Sequence, residues 1–288
     1  MNITFLVPST KRTIGGVIAL YEFANGLSRR GHGVNLVHVP IVDGHIEQLE
    51  DLAWFAFEPG VEHQIVDSLV GHELPRADFI EVTAVELFGG SDGRGVRVTS
   101  LPVSAGLPFL FIQGFGIFSA DVDDRAFRTP FPKICIARWL VNVLRAKGVP
   151  PQQVAYIPYG LDHTTFRLAR PIENRPLQVA MLYNAHPIKG AQFGLAAIEE
   201  VQRRMPEVRA VAFGNKDPVR RLPDGVTFVK LPSRPVLVDE IYNQSGVFIC
   251  SSLSEGFGFC AIEAMAGGCA VVTTDNGGSD DYAIDGET

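Results

Sequence analysis

Short β-branched runs alternating with longer stretches of helical period predict an α/β protein built on parallel sheets. Three observations carry that prediction. The β-branched runs are apolar nearly throughout, as strands covered on both faces are. The stretches between them repeat apolar residues at three and four positions, the spacing of one helix face. The composition, 46% hydrophobic and 20% charged over 288 residues, belongs to a folded chain long enough for two domains of about 150 residues each.

In the first half the runs predict strands at 2–7, 34–39, 78–83, 108–113, 133–137 and 154–158. Between the first two, Gly15 and Gly16 open a helix with apolar positions Val17, Leu20, Tyr21, Ala24 and Leu27, ending at Arg30-Gly31, which completes one βαβ unit. A second helix is expected over 138–147, closed by Gly148 ahead of Pro150-Pro151. The segment from Arg167 to Pro176 is rich in arginine and proline and poor in apolar residues, so the division is placed at 170, giving domains 1–170 and 171–288. The second domain reads as strands 177–183, 208–213, 226–230, 247–251 and 270–274, with helices 191–204, 235–244 and 257–267. Thr288 lies about 14 residues past the last strand, and a doubly wound domain runs longer, so the expectation is an incomplete second domain prone to self-association.

Charge and cysteine usage narrow the function classes. The net charge is -7; residues 1–170 carry 15 basic and 17 acidic side chains, and the remainder 10 and 15. Neither half has the basic footprint of a nucleic-acid binder, and the cluster Arg138, Arg145 and Lys147 is the one feature suited to peripheral membrane contact. No apolar run reaches the roughly 18–20 residues that span a bilayer, and the first residues lack a basic leader. Cys135, Cys250, Cys260 and Cys269 sit in apolar stretches without a C-x-x-C pair, as small buried hydrophobes of a reducing cytoplasm do. No aspartate pair has metal-ligand spacing, so neither a metal nor another cofactor is expected.

The most informative stretch runs from Ser251 to Gly268, out of a strand and into a helix. Glu255 and Glu263 lie eight residues apart; eight residues of helix rise ~12 Å and turn ~800°, so the two carboxylates do not form an acid–base dyad. They are placed instead to hold the two ends of one long ligand. Gly256, Phe257 and Gly258 lie between them, at a helix N-terminus whose N–H groups suit an anion. Hydroxyl, diphosphate, hydroxyl is the order of groups in a nucleotide sugar. Ala261, Ile262, Ala264, Met265 and Ala266 make the helix apolar nearly all round, and a carboxylate such as Glu263 within it must be paired or bind something. Glu255 alone also reads as a helix-start carboxylate favoured by the dipole.

The E-x7-E spacing of Glu255 and Glu263, preceded by E-G-F-G-F and followed by E-A-M-A-G-G-C-A-V-V-T-T-D, resembles the family 4 retaining glycosyltransferases of the GT-B fold. Gly15-Gly16-Val17 is similar to that family's N-terminal glycine loop, and Ile157-Pro-Tyr-Gly-Leu-Asp162 to its I-P-N-G-x-D signature. Lys189-Gly190 resembles its phosphate-binding K-G, and Asn276-Gly-Gly-Ser279 its late G-G-x loop. The resemblance implies two Rossmann-like domains facing a cleft, and transfer of a hexosyl unit from a nucleotide-diphosphate sugar to a hydroxyl acceptor in glycan or glycoconjugate synthesis. Glu263 would bind the donor ribose, Glu255 the donor sugar, and Lys189 with the glycine loops the diphosphate. It further implies retention by front-face attack, the departing phosphate taking the acceptor proton.

Departures from the family pattern mark where this chain is its own. Asn184 stands where an arginine is common, leaving Lys189 as the clearest phosphate-directed cation, with Arg138 or Lys11 as compensating charges. Gln113 replaces the first domain's usual histidine, and Arg138 a helix-start serine; both are candidate acceptor contacts, and both read equally as loop polarity and surface charge. Gly256-x-Gly258-x-x-Ala261, with Asp275 beyond, also fits a dinucleotide fingerprint and so an NAD-dependent oxidoreductase. The same residues are compatible with a GT-B epimerase or phosphorylase and with a non-catalytic sugar-binding relic.

Overall fold

The computed structural model describes residues 1–11, 13–40, 45–69, 72–82, 105–116 and 120–288. The chain divides into two compact units, Met1–Ile136 with Leu140–Ile157, and Ala137–Trp139 with Pro158–Thr288. The division thus falls ahead of the expected 170. Residues 158–170 belong with the second unit because Phe166 is buried in its core and Asn243 accepts the Ala169 and Arg170 N–H groups at 2.7 and 3.1 Å.

In the first unit, β1 (Asn2–Pro8) is central, with Ile3, Phe5, Leu6 and Val7 all buried, as a strand covered on both faces requires. Helix α1 (Gly15–Arg29) buries Val17, Leu20, Tyr21 and Ala24 and stops at Gly31, whose φ of 80° only glycine adopts freely. Then come β2 (Gly33–Val39), β3 (Val61–Ile65), β4 (Phe79–Val82), β5 (Leu107–Ile112), α2 (Ala120–Phe127), β6 (Lys133–Cys135), α3 (Arg138–Ala146) and β7 (Val154–Tyr156). The described strands form one parallel sheet in the order β3-β2-β1-β4-β5-β6-β7.

Two elements escape the sequence pattern. Strand β3 carries Glu62, His63 and Gln64, and only Val61 is buried, so an edge position paired to β2 replaces the apolar signal. Helix α2 is aspartate-rich; Asp123 is buried because it accepts the Gly116 N–H at 3.1 Å. Residue 83 of the expected strand 78–83, and most of the loop 84–106, lie outside the described residues.

The second unit contains β8 (Gln178–Leu182), α4 (Ala191–Arg204), β9 (Arg209–Gly214), β10 (Val226–Lys230), β11 (Val247–Cys250), α5 (Phe259–Ala266) and β12 (Ala270–Thr273). The sheet is parallel, in the order β10-β9-β8-β11-β12. One core face gathers Phe213, Tyr242, Phe248, Ala261 and Ala264, and the other Val179, Met181, Ile198 and Ala212.

The expected helix 235–244 is instead a π-helical turn, Val236–Ile241, running into a 3-10 turn, Tyr242–Gln244. Val238, Ile241, Tyr242 and Asn243 are all buried along these two turns. No helix among the described residues is long and apolar enough to cross a membrane.

Candidate active site

The strand orders place one switch point in each sheet, between β1 and β4 and between β8 and β11, where successive connections leave in opposite directions. Crevices at the carboxyl ends of strands there are where α/β sheets bind ligands. Within the second unit, three loops meet at that end. Leu253, after β11, donates its N–H to the Ile188 carbonyl of the loop after β8 at 2.7 Å, and Glu255 donates to the Asn276 carbonyl of the loop after β12 at 2.9 Å. Two glycines permit this contact: a Cβ on Gly190 would overlap the Ser251 carbonyl oxygen, and one on Gly278 would lie 2.8 Å from that of Phe257.

The charged residues sit on these loops. Lys189 ends the 3-10 turn Pro187–Lys189, and left-handed Gly190 (φ 57°) turns the chain into α4. Its ammonium lies 2.7 Å from Glu255 Oε1, with 27% and 14% of the two side chains exposed, a partly shielded ion pair. The two candidates from loops 66 residues apart are thereby brought together. Glu263, on α5, is half-buried and accepts the Tyr242 hydroxyl at 2.8 Å on Oε2. Loss of water pushes its carboxyl up to about 7, opposed by that hydrogen bond and by the charge of Arg234.

Several candidates take roles the sequence does not foretell. Helix α5 begins at Phe259 rather than 257, because Gly258 is left-handed (φ 92°) and lies against the Tyr282 hydroxyl. Phe257 is therefore outside the helix, its ring buried against Tyr159, Phe259 and Tyr282; as a side chain it is core. The Gly256 carbonyl accepts the Trp139 indole N–H at 3.0 Å. Asn184 Oδ1 accepts the His186 N–H at 2.9 Å, so it shapes the lysine loop. The Arg138 guanidinium lies 3.8 Å from Asp281, whose carboxylate also accepts the Arg138 backbone N–H at 3.0 Å, and Lys11 pairs with Asp51 at 3.1 Å; neither is a spare cation.

In the first unit, Gly15 and Gly16 are the first residues of α1, with no side-chain cap before them. A Cβ on Gly16 would lie 2.5 Å from Gln113 Oε1, which puts the Gln113 amide, on the loop after β5, directly at that helix N-terminus. Gln113 Nε2 is buried without a partner among the described residues. The residues that sequence reasoning missed are Tyr242, Trp139 and Tyr282. Each is aromatic within an apolar or helical pattern, and nothing in the spacing separates them from core.

Two parallel α/β units, the second with three loops meeting at its switch point, accord with the GT-B fold, and comparison with known proteins agrees. Residues 175–288 match the family model described as Glycosyl transferases group 1. A D-inositol 3-phosphate glycosyltransferase of Segniliparus rotundus is 31% identical over 148 residues, covering 44% of this chain and 33% of that protein. The chain thus matches about a third of the length of that curated relative. Sucrose-phosphate synthase from Thermosynechococcus elongatus superposes with a TM-score of 0.73 at 17% identity, covering 99% of this chain and 84% of that one. Anabaena HepE in complex with UDP and glucose gives 0.72 at 17% identity, with the same coverage.

Proposed function

We propose that this protein is a glycosyltransferase that moves a hexosyl unit from a nucleotide-diphosphate sugar to a hydroxyl acceptor in glycan or glycoconjugate synthesis. The observation that carries the reading is the second unit's switch point, where Lys189, Glu255 and Glu263 stand on loops and a helix of the family-matched stretch. Cleaving a sugar–phosphate bond builds negative charge on the leaving diphosphate. Lys189 and the N–H groups of the glycine loops supply fixed positive charge for it without a metal. Glu263 takes the ribose hydroxyls and Glu255 the sugar hydroxyls, since a carboxylate accepts hydrogen bonds without donating. Gln113, which both donates and accepts, meets neutral hydroxyls, and retention by front-face attack needs no further base.

Four free cysteines support a reducing, cytoplasmic setting. Membrane docking through Arg138, Arg145 and Lys147 is weakened, because Arg138 and Lys147 lie 3.8 and 2.8 Å from Asp281 and Asp124. Self-association through the second unit draws support from Val272, 58% exposed at the sheet edge. An oxidoreductase is disfavoured by geometry: residues 251–258 intervene between β11 and α5, where a dinucleotide fingerprint turns directly from strand to helix.

The test is a binding screen of nucleoside diphosphates, UDP first because HepE is seen with it, followed by Glu263→Ala. Binding should weaken by about 2–3 kcal/mol in a chain that still folds, the scale of charge-assisted hydrogen bonds lost. NAD binding with no response to any nucleoside diphosphate overturns the reading.

A further inference from the structure

Tyr242 is fully buried, its ring 5.8 Å from Phe248 and 6.0 Å from Phe213. A phenylalanine would fill that volume as well, and a buried hydroxyl costs free energy unless it is partnered. The hydroxyl's partner is Glu263 Oε2, at 2.8 Å, with the Cys260 thiol beside it. The backbone holds the ring to this aim. The Tyr242 carbonyl accepts from Arg175 Nη1 at 3.3 Å and from Cys269 Sγ at 3.2 Å, and Gly267 leaves only 3.0 Å between a Cβ placed on it and the Tyr242 Cβ. The π-helical turn immediately before, Val236–Ile241, adds residues to one turn, the device by which a helix re-aims a side chain near a site.

We propose that Tyr242 is the positioning residue of the nucleotide site. Its hydroxyl holds Oε2 of Glu263, fixes the carboxylate plane, and leaves Oε1 to the ribose hydroxyls. The inference rests on the donor-binding role proposed for Glu263. The groups facing Glu263 are Tyr242 from the 3-10 turn, Cys260 from its own helix, and Arg234 from the segment ahead of the π turn. Of these, the tyrosine hydrogen bond and the arginine charge favour the ionised carboxylate against burial, which drives it up to about 7. Taking the hydroxyl away therefore moves the carboxyl further up.

The experiment uses the full chain with Tyr242→Phe. The Glu263 carboxyl is titrated by carbon-13 NMR, its signal assigned by loss in Glu263→Gln, and UDP affinity is measured from pH 6 to pH 9. In Tyr242→Phe the titration midpoint should rise. UDP affinity should fall about tenfold at pH 7, the worth of one charged hydrogen bond, and recover to within about threefold of the wild type at pH 9. An unmoved midpoint, or wild-type UDP affinity at pH 7, overturns the assignment and leaves Tyr242 as core. If the wild type binds no nucleoside diphosphate at any pH, the transferase reading falls and this inference falls with it. Wild-type binding with an unmoved midpoint rejects Tyr242 alone.

Discussion

At the carboxyl end of the second sheet, loops 184–190, 251–258 and 274–279 are joined by main-chain hydrogen bonds, and an ion pair spans two of them. At the same end of the first sheet, Ser9 turns back instead, donating its N–H to Val39 at 2.7 Å and accepting the Ile46 N–H on its hydroxyl at 3.0 Å. Glycine and glutamine are what that end presents at the start of α1, while Lys11 is held by Asp51. Under the proposed function the two ends meet different chemistry. A leaving diphosphate is stabilised by a cation and N–H groups already in place, which the joined loops would supply. Neutral hydroxyls need a group that both donates and accepts, which an amide supplies.

The largest effect expected from this contrast is on turnover. Lys189→Ala should lower transferase rate and diphosphate affinity together, by about a hundredfold in rate, the scale of losing one donor to a developing anion. Steady-state kinetics with the donor found by the screen checks it, and an unchanged rate would show that the phosphate site lies on another loop.

Next is stability. Gly190→Ala forces a Cβ into the Ser251 carbonyl at a left-handed φ of 57° and should destabilise the second unit by about 1–3 kcal/mol in denaturant unfolding. Gly15→Ala meets nothing within 4 Å and should stay within about 0.5 kcal/mol. Equal responses would erase the distinction between the crowded Gly190 and the uncrowded Gly15.

The gentlest effect is a pair of opposed pH slopes, each at most about 1.4 kcal/mol per pH unit per proton. In the first unit, burial and then His63, 3.1 Å away, push the His38 imidazole down from 6.5 to about 3. Its folded form binds fewer protons than the unfolded chain, so stability is full above 6.5 and is lost as pH falls toward 3. In the second unit Glu263 is raised from 4.5 to about 7. Its folded form keeps a proton the unfolded chain releases, so stability is full below 4.5 and declines as pH rises through 7. Hydrogen exchange followed region by region should show the first unit opening at acid pH and the second loosening toward neutrality. Glu263→Gln should abolish the second slope alone.

Much of the fold was legible in the residues. Apolar strands such as Ile3 to Val7, the α1 stripe and the glycines at 16, 190, 258 and 278 announce strand, helix and close approach, because burial and positive φ each demand particular residue types. Glu255, Glu263 and Lys189 were equally visible as candidates, since charged groups amid glycines and apolar residues are costly to bury without a partner. Strand β3 was not, because pairing to β2 decided it against its own polar sequence. Nor was the π turn Val236–Ile241, whose apolar spacing reads as ordinary helix. The 2.7 Å meeting of Lys189 with Glu255 and the Tyr242 bond to Glu263 join residues 66 and 21 positions apart. Local pattern carries propensity and burial; only the folding of the β8 and β11 loops onto one another, and of the turn at Tyr242 onto α5, determines which distant side chains touch.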